Sequence, residues 1–396
     1  MSGFSKTKTG SILFGLYLLL PVQPARSAEL IKVPMTAEQW QADGDIEFAP
    51  TEGFPQGLLT VKNGGAVLKG VTFGNGTIEY DIKENPDGTG IPGIRFRQRD
   101  PDTAEEFYLR PSPNCPPSND CVQYAPVTHG LLLWDVYPEY QESAPVRETG
   151  WNHVKLVVSG RRMNVYVNGA TTPSLKVGRL EGDALEGAIE LRGAATFANV
   201  TVVPDAVEGL SPIPIADPTD GDAGFLRSWL VSVAYPLPTG RDPVLRDMTE
   251  SNSWQSIAAE RHGLVNLSRR YGSPTAGPAS AFVWLKTTID SDQVQEKNVS
   301  LGWAREIWVY VNGKLVFSDR NFYYPEAARK SPDGRLSLEN GSFNLPLRKG
   351  ANEIVVALSN MFPQGHSHYG WGLEFHLDDL TGLKMPNDND ARTNLH

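Results

Sequence analysis

The chain of 396 residues holds only two cysteines and seven histidines, and its formal net charge at pH 7 is −10. A Cys/His metal framework therefore has little to build on, and only His129 stands anywhere near Cys115 and Cys121 in sequence. The negative balance argues against nucleic acid as a partner, because phosphate is met by a basic footprint that is missing here. After residue 28 no apolar run is long enough to span a bilayer, so stable membrane insertion is not expected. There is no G-x-S-x-G for an activated serine.

What is present reads as β-structure. Glycine (38) and proline (30) are plentiful, and apolar residues make up 40%, the composition of a globular chain with many turns. The length suits two ordinary domains. In Trp151–Gly169 two runs rich in β-branched and aromatic residues flank Ser159-Gly160-Arg161, and Asn168-Gly169 closes the second run. Such residues fit a pleated, half-buried surface, and Asn-Gly takes the positive φ of a tight hairpin. The pentapeptide Val-Tyr-Val-Asn-Gly returns at Val309–Gly313 behind the strand-like run Trp303–Trp308. The expected fold class is all-β, with two β-sandwich (jelly-roll) domains joined by a Pro-rich linker.

The expected boundaries follow from composition. Residues 1–28 read as a signal peptide: Lys6 and Lys8, the apolar run Ile12–Leu20, Pro21, and small residues around Ala25 and Ser27. The mature protein is then expected to be secreted or periplasmic. Residues 37–203 form the first sandwich, and 204–224, with Pro204, Pro212, Pro214 and Pro218, the linker. Residues 225–385 form the second domain and 386–396 a disordered tail. Turns are expected at Asp43-Gly44 and Asn63-Gly64-Gly65, and a short helix over Ser253–Glu260. Cys115 and Cys121 share a Pro-rich loop and are expected to form a disulfide in an oxidising compartment.

Two stretches offer a site. In Ile94–Arg99 strand alternation puts Arg95, Arg97 and Arg99 opposite Ile94, Phe96 and Gln98. In Glu106–Arg110 it puts Glu106, Tyr108 and Arg110 opposite Phe107 and Leu109. Paired as a hairpin, these strands would carry Arg95, Arg97, Tyr108 and Arg110 on one face as ligand-binding residues, with Glu106 as the candidate catalytic carboxylate. Guanidinium forks suit carboxylates and sugar hydroxyls, and a tyrosine ring suits stacking. The bland alternative is a solvated face whose opposite charges satisfy one another. Trp134, after three leucines, reads as core. Phe362–Trp371 is the second stretch, with Tyr369 and Trp371 as stacking candidates. His366 and His368, with Asp378 or Asp379, are weighed as metal ligands against exposed loop histidines, and no metal is assigned. Asp100 and Asp102 offer a pair for structural calcium, or an ordinary turn; no other cofactor is expected.

Gly76–Lys83, Gly93–Arg97, Glu106–Arg110, Trp151–Val158, Val165–Gly169 and Gly187–Leu191 together resemble the concanavalin/laminin-G-like sandwiches. More narrowly, they resemble the 3-keto-disaccharide hydrolase-like domain of exported bacterial proteins, although Ile91-Pro92 stands where that family usually has Asn-Ser. Trp308–Lys314, Phe343–Ile354 and Gly370–Gly372 resemble the galactose-binding-like jelly rolls, such as those appended to β-galactosidases. The resemblances imply an exported carbohydrate-binding protein acting in glycan recognition or processing. A hydrolase of (3-keto-)disaccharides or other glycosides is the enzymatic alternative, and an adhesion module without a small ligand is the structural one.

Overall fold

The computed structural model describes residues 1, 3, 29–248, 253–273, 280–363 and 369–386. The signal-peptide and tail readings, and His366 and His368, fall outside these residues. The rest is all-β, and every pairing between its strands is antiparallel.

The strands between Ile31 and Pro204 make one 14-stranded sheet. It curls until its ends meet, for Leu175–Val177 at one end of the strand order contacts Val122–Thr128 near the other. Ile78, Ile82, Phe96, Phe107, Leu156 and Val165 point inward and are withdrawn from water. Burying each such side chain contributes about 1.5–3 kcal/mol, so the alternating sequence fixes which way each strand faces. The second domain is an 11-stranded arrangement running from Ser228 to Lys384. Its spine is the 17-residue strand Gln295–Val311. The first part of that strand pairs with Gly341–Leu347 and Gly372–Leu377, and its last part with Gly350–Ser359 and Lys314–Asn321. The two parts of the strand are joined through Arg305. That residue has a φ of 87°, where a side chain is uncommon, and there the strand passes from one layer to the other.

Both copies of Val-Tyr-Val-Asn-Gly build the same closure. Asn168 and Gly169 have φ of 53° and 74°, and Asn312 and Gly313 of 48° and 84°, the left-handed pair of a tight turn. Asn168 Nδ2 donates to Asn152 Oδ1 at 2.8 Å, and Asn312 Nδ2 to Asn352 Oδ1 at the same distance. Asn152 and Asn352 then accept from the amides of Arg147 and Arg348, closing the loops that lead into their strands. The repeated pentapeptide is thus a device of folding.

Cys115 and Cys121 are bonded to each other. Two local expectations fail. Gly44 and Gly64 mark no turns; they face each other within one long hairpin, Trp40–Thr51 with Phe54–Leu68, whose turn is at Glu52-Gly53. A Cβ on Gly44 would stand 2.3 Å from the Asn63 carbonyl oxygen, so glycine is needed for close approach there. Ser253–Glu260 holds no helix, because Gln255–Ala258 pairs with Ser228–Val231 as an edge strand. The only α-helix among the described residues is Leu267–Tyr271.

Prolines in the linker do not leave it loose. The Pro212 carbonyl accepts from Arg161 N, and Ile215 N donates to Gly178 O, laying the segment along the first domain. The domains are then joined by a buried ion pair: Arg305 Nη2 donates to Asp135 Oδ2, and both side chains are wholly inaccessible. Asp135 Oδ1 also accepts from Gly370 N at 2.9 Å, and its backbone carbonyl from Leu336 N.

Removing one partner alone leaves the other charge buried and uncompensated, at a cost of about 3–5 kcal/mol. Asp135→Leu and Arg305→Met should each lower the denaturant midpoint sharply, while the double variant recovers much of the loss. A double variant as unstable as the sum of the singles would show that the two groups do not act as a pair.

Candidate functional site

Strand register assembles the polar face. Glu190 lies directly opposite Arg95, and Arg95 opposite Glu106, across the strands Ala188–Arg192, Gly93–Asp100 and Thr103–Leu109. Arg95 Nε donates to Glu106 Oε2 at 2.6 Å, and its Nη1 is 3.8 Å from Glu190 Oε2. Arg192 Nη1 reaches the same Glu106 oxygen at 3.5 Å, so one carboxylate serves two guanidiniums. The side chains of Arg95 and Arg192 keep 13% and 27% of their exposure, enough to touch a ligand, whereas Glu106 keeps 6%. Burial raises the Glu190 carboxyl above its ordinary range, against the pull of Arg95.

Two residues on from Glu106, Tyr108 shares its face. Gly93 stands opposite Tyr108, and a Cβ there would be 2.8 Å from the tyrosine Cβ. Arg110 lays its guanidinium over the Tyr108 ring, 5.0 Å from the centroid. Beyond Tyr108 the wall is aromatic and comes from both domains. Trp134 packs on Tyr108 and meets Tyr323 and Tyr369 edge-on, at centroid distances of 5.2 and 5.6 Å. Arg335 lies over the Trp134 ring at 5.3 Å, and Arg329 over Tyr323 at 4.6 Å. Trp134 is buried as expected, in a small cluster with Tyr108 and Ala125 that backs this wall and is separate from the first domain's main core.

Arg95, Glu106, Tyr108, Arg110 and Tyr369 come together, but Tyr108 is only 1% exposed and offers no free ring for stacking; Arg97 and Trp371 do not join them. Arg97 has a φ of 51° in a bulge after Phe96, which reverses the alternation. Its guanidinium turns away, 1% exposed, and donates to the carbonyls of Gly74 and Gly160. Gln98 takes the place expected for Arg97 and donates to Glu190 Oε2 at 2.9 Å. Trp371 is core: it is fully buried, with its indole nitrogen donating to Gly272 O at 3.1 Å. Asp378 and Asp379 are engaged locally, the first by Asn298, Ser300 and His376, the second by Lys297. Asp100 is likewise taken up by its own turn, accepting from Asp102 N and Arg99. No group of three or more His, Cys, Asp or Glu suited to a metal occurs among the described residues.

Sequence reasoning missed Arg192, Tyr323, Arg329 and Arg335. Strand alternation from Glu190 gives Arg192; nothing local marks the other three, which arrive from loops of the other domain. Glu79, Asp81 and Glu84, further carboxylates of the first domain, lie elsewhere. Four strands separate them from Glu106, and the first two flank His153.

Residues 35–203 match the 3-keto-alpha-glucoside-1,2-lyase-like domain family. Among solved structures, the carbohydrate-binding module CBM66 from Bacillus subtilis is 18% identical, covering 41% of this chain and 95% of its own, with a TM-score of 0.31. A putative glycosyl hydrolase from Parabacteroides distasonis is 16% identical, covering 44% and 99%, with a TM-score of 0.32. A Bacillus subtilis protein of unknown function with a galectin-like fold is 14% identical, covering 44% and 94%, with a TM-score of 0.31. No curated protein matches the chain significantly.

Behind the polar face, on the core side, Glu105 is fully buried. Its Oε2 accepts from the Tyr124 hydroxyl at 2.6 Å and from Gly182 N at 3.2 Å, with Arg97 and Arg161 attracting it from farther away. Burial nevertheless pushes its carboxyl up to about 7 from an ordinary 4.5. A folded-state value above the unfolded one favours folding at low pH. That advantage drains away as pH rises through the window between the two and is gone above about 7. Glu105→Gln, which cannot ionise, should gain on the natural protein across that window and hold a constant lead above it. Denaturation midpoints measured against pH check this, and parallel curves would contradict it.

Proposed function

We propose that the face around Arg95, Glu106, Tyr108 and Arg110 binds carbohydrate, with the aromatic wall of Trp134, Tyr323 and Tyr369 closing one side. The carrying observation is that the partly exposed guanidiniums of Arg95 and Arg192, held by buried Glu106, share a face with clustered aromatic rings of which Tyr323 and Tyr369 keep some exposure. Sugars present both hydroxyl pairs and apolar ring faces, and a site of this kind serves both. The family match over residues 35–203 supports the same reading. The protein is then an exported glycan-recognition or glycan-processing factor, its leader being residues 1–28. Its second domain is read as a galactose-binding-like jelly roll from the resemblance carried by Trp308–Lys314, Phe343–Ile354 and Gly370–Gly372.

One observation favours an enzymatic form of this reading. Glu106 and Glu190 flank Arg95, and their surroundings differ: Glu106 is gripped by two guanidiniums, while burial keeps Glu190 raised. Paired carboxylates with divergent environments are the arrangement that glycoside hydrolysis uses, one as acid and one ionised.

A glycan array with product analysis tests both forms. Arg95→Ala should weaken binding by about tenfold or more, the worth of one charge-assisted hydrogen bond. If the protein releases product, Glu106→Gln should abolish release while the glycan still binds. Unchanged affinity of Arg95→Ala for every glycan bound would remove this face from consideration.

A further inference from the structure

Within the face just described, charge is balanced at one end and not at the other. Arg95 and Arg192 share Glu106 and Glu190. Arg110 and Arg335, beyond Tyr108, have no carboxylate within ion-pair distance among the described residues. Arg110 Nη1 donates only to the Asp120 carbonyl, at 3.1 Å, and its Nη2 lies 3.5 Å from the Tyr108 hydroxyl. Arg335 is 2% exposed, yet its Nε and Nη1 have no hydrogen-bond partner. Asp120 and Asp333 attract it from farther off, and the Asp120 carboxylate is already occupied by the Ser118 hydroxyl. Burial and the neighbouring Arg110 both press the Arg335 guanidinium below its ordinary range. Two adjacent guanidiniums, one of them desolvated with open donors, are costly unless an anion completes them.

We propose that the ligand is an acidic sugar, whose carboxylate is received by Arg110 and Arg335 while its ring lies toward Glu106 and Arg95. This rests on the carbohydrate reading above and narrows it to glycans containing uronic acids. The fork of donors on each guanidinium matches a planar carboxylate, and the two arginines come one from each domain. Recognition of the acid group therefore requires both domains in place. A neutral sugar at the same position would leave the charge of the adjacent Arg110 and Arg335 guanidiniums uncompensated, which penalises it relative to the acid.

The test uses the full mature chain on an array holding uronate glycans, their methyl esters, their neutral counterparts and sulfated glycans of matching backbone. Uronates should bind about tenfold or more above their methyl esters, and less tightly as salt rises. Arg110→Gln should bring the ratio of acid to ester close to one, and Arg110→Lys should restore part of it. Arg110 is half-exposed, so these variants probe the pair without emptying the buried Arg335 position. Equal binding of acids, esters and neutral glycans would overturn the inference and leave the carbohydrate reading standing. Preference for sulfated over carboxylated glycans would overturn the uronate assignment. Binding of no glycan at all would overturn both readings together.

Discussion

Asp135 and Arg305 meet with both side chains fully withdrawn from solvent, and the arrangement of everything near the polar face depends on that contact. Neither charge is tolerable alone in such a place, so the domains cannot separate without rehydrating both. Asp135 sits just after Trp134, and its remaining oxygens hold Leu336 and Gly370 by their amides. Those residues are the immediate neighbours of Arg335 and Tyr369. A single residue, through its carboxylate and its backbone carbonyl, thus bears on Trp134 beside it and on Arg335 and Tyr369 from the opposite domain. Arg305 is placed for this by a left-handed backbone at the kink of the longest strand. Strain at that residue and burial of its charge are two costs carried at one point, and the ion pair offsets both.

The first domain solves a related problem differently. Its sheet has two sides, and polar groups that cannot reach water occur on each of them. On the outward side Arg95 lies between Glu106 and Glu190, so each charge finds its opposite across a strand. On the core side Glu105 has Tyr124 and Gly182 as donors, but one of its oxygens goes without. Adjacent residues of one strand, Glu105 and Glu106, therefore stand in opposite electrostatic surroundings because strand geometry sends them to opposite faces.

Much of this was legible from the residues alone, and where it was not the reason is geometric. Alternation in Glu106–Arg110 holds in the structure, because that strand is regular over its whole length. Alternation in Gly93–Asp100 breaks at Arg97, since a bulge adds a residue and sends Gln98 to the opposite face. No pattern of apolar and polar residues announces such a bulge. The Asn-Gly pairs were readable because a tight turn has few solutions, whereas Gly44 and Gly64 look like turn residues and serve close approach instead. Trp134 is buried as its leucine neighbours suggest, whereas Trp371, expected to be open to a ligand, is buried as well. A tryptophan beside glycine is no more exposed than one beside leucine; what decides is which domain packs over it. Arg335 and Tyr323 lie about 200 residues beyond the strand they face, and only the tertiary docking brings them there.

Unpaired polar atoms are not all alike in what they ask for. The hydroxyl of Tyr80 and the indole nitrogens of Trp284 and Trp303 lack partners too, but each is one neutral donor in an apolar core. Such a group costs about 1–3 kcal/mol and can simply be carried by a large, well-packed domain. A guanidinium is different, because its charge is desolvated along with its donors and the loss is correspondingly greater. Arg97 donates to two carbonyls and Arg305 to a carboxylate, although each also keeps buried nitrogens without a partner. Arg335 has neither, and it stands next to a second arginine at the open end of a face otherwise neutral in charge. Packing over Trp134 recovers some of the lost hydration energy, since a cation over an indole ring gains roughly 0.5–2 kcal/mol. That gain offsets part of the desolvation and leaves the donors still open. The domain interface thus carries two adjacent guanidiniums with no carboxylate between them, and an anion arriving there would relieve their mutual repulsion.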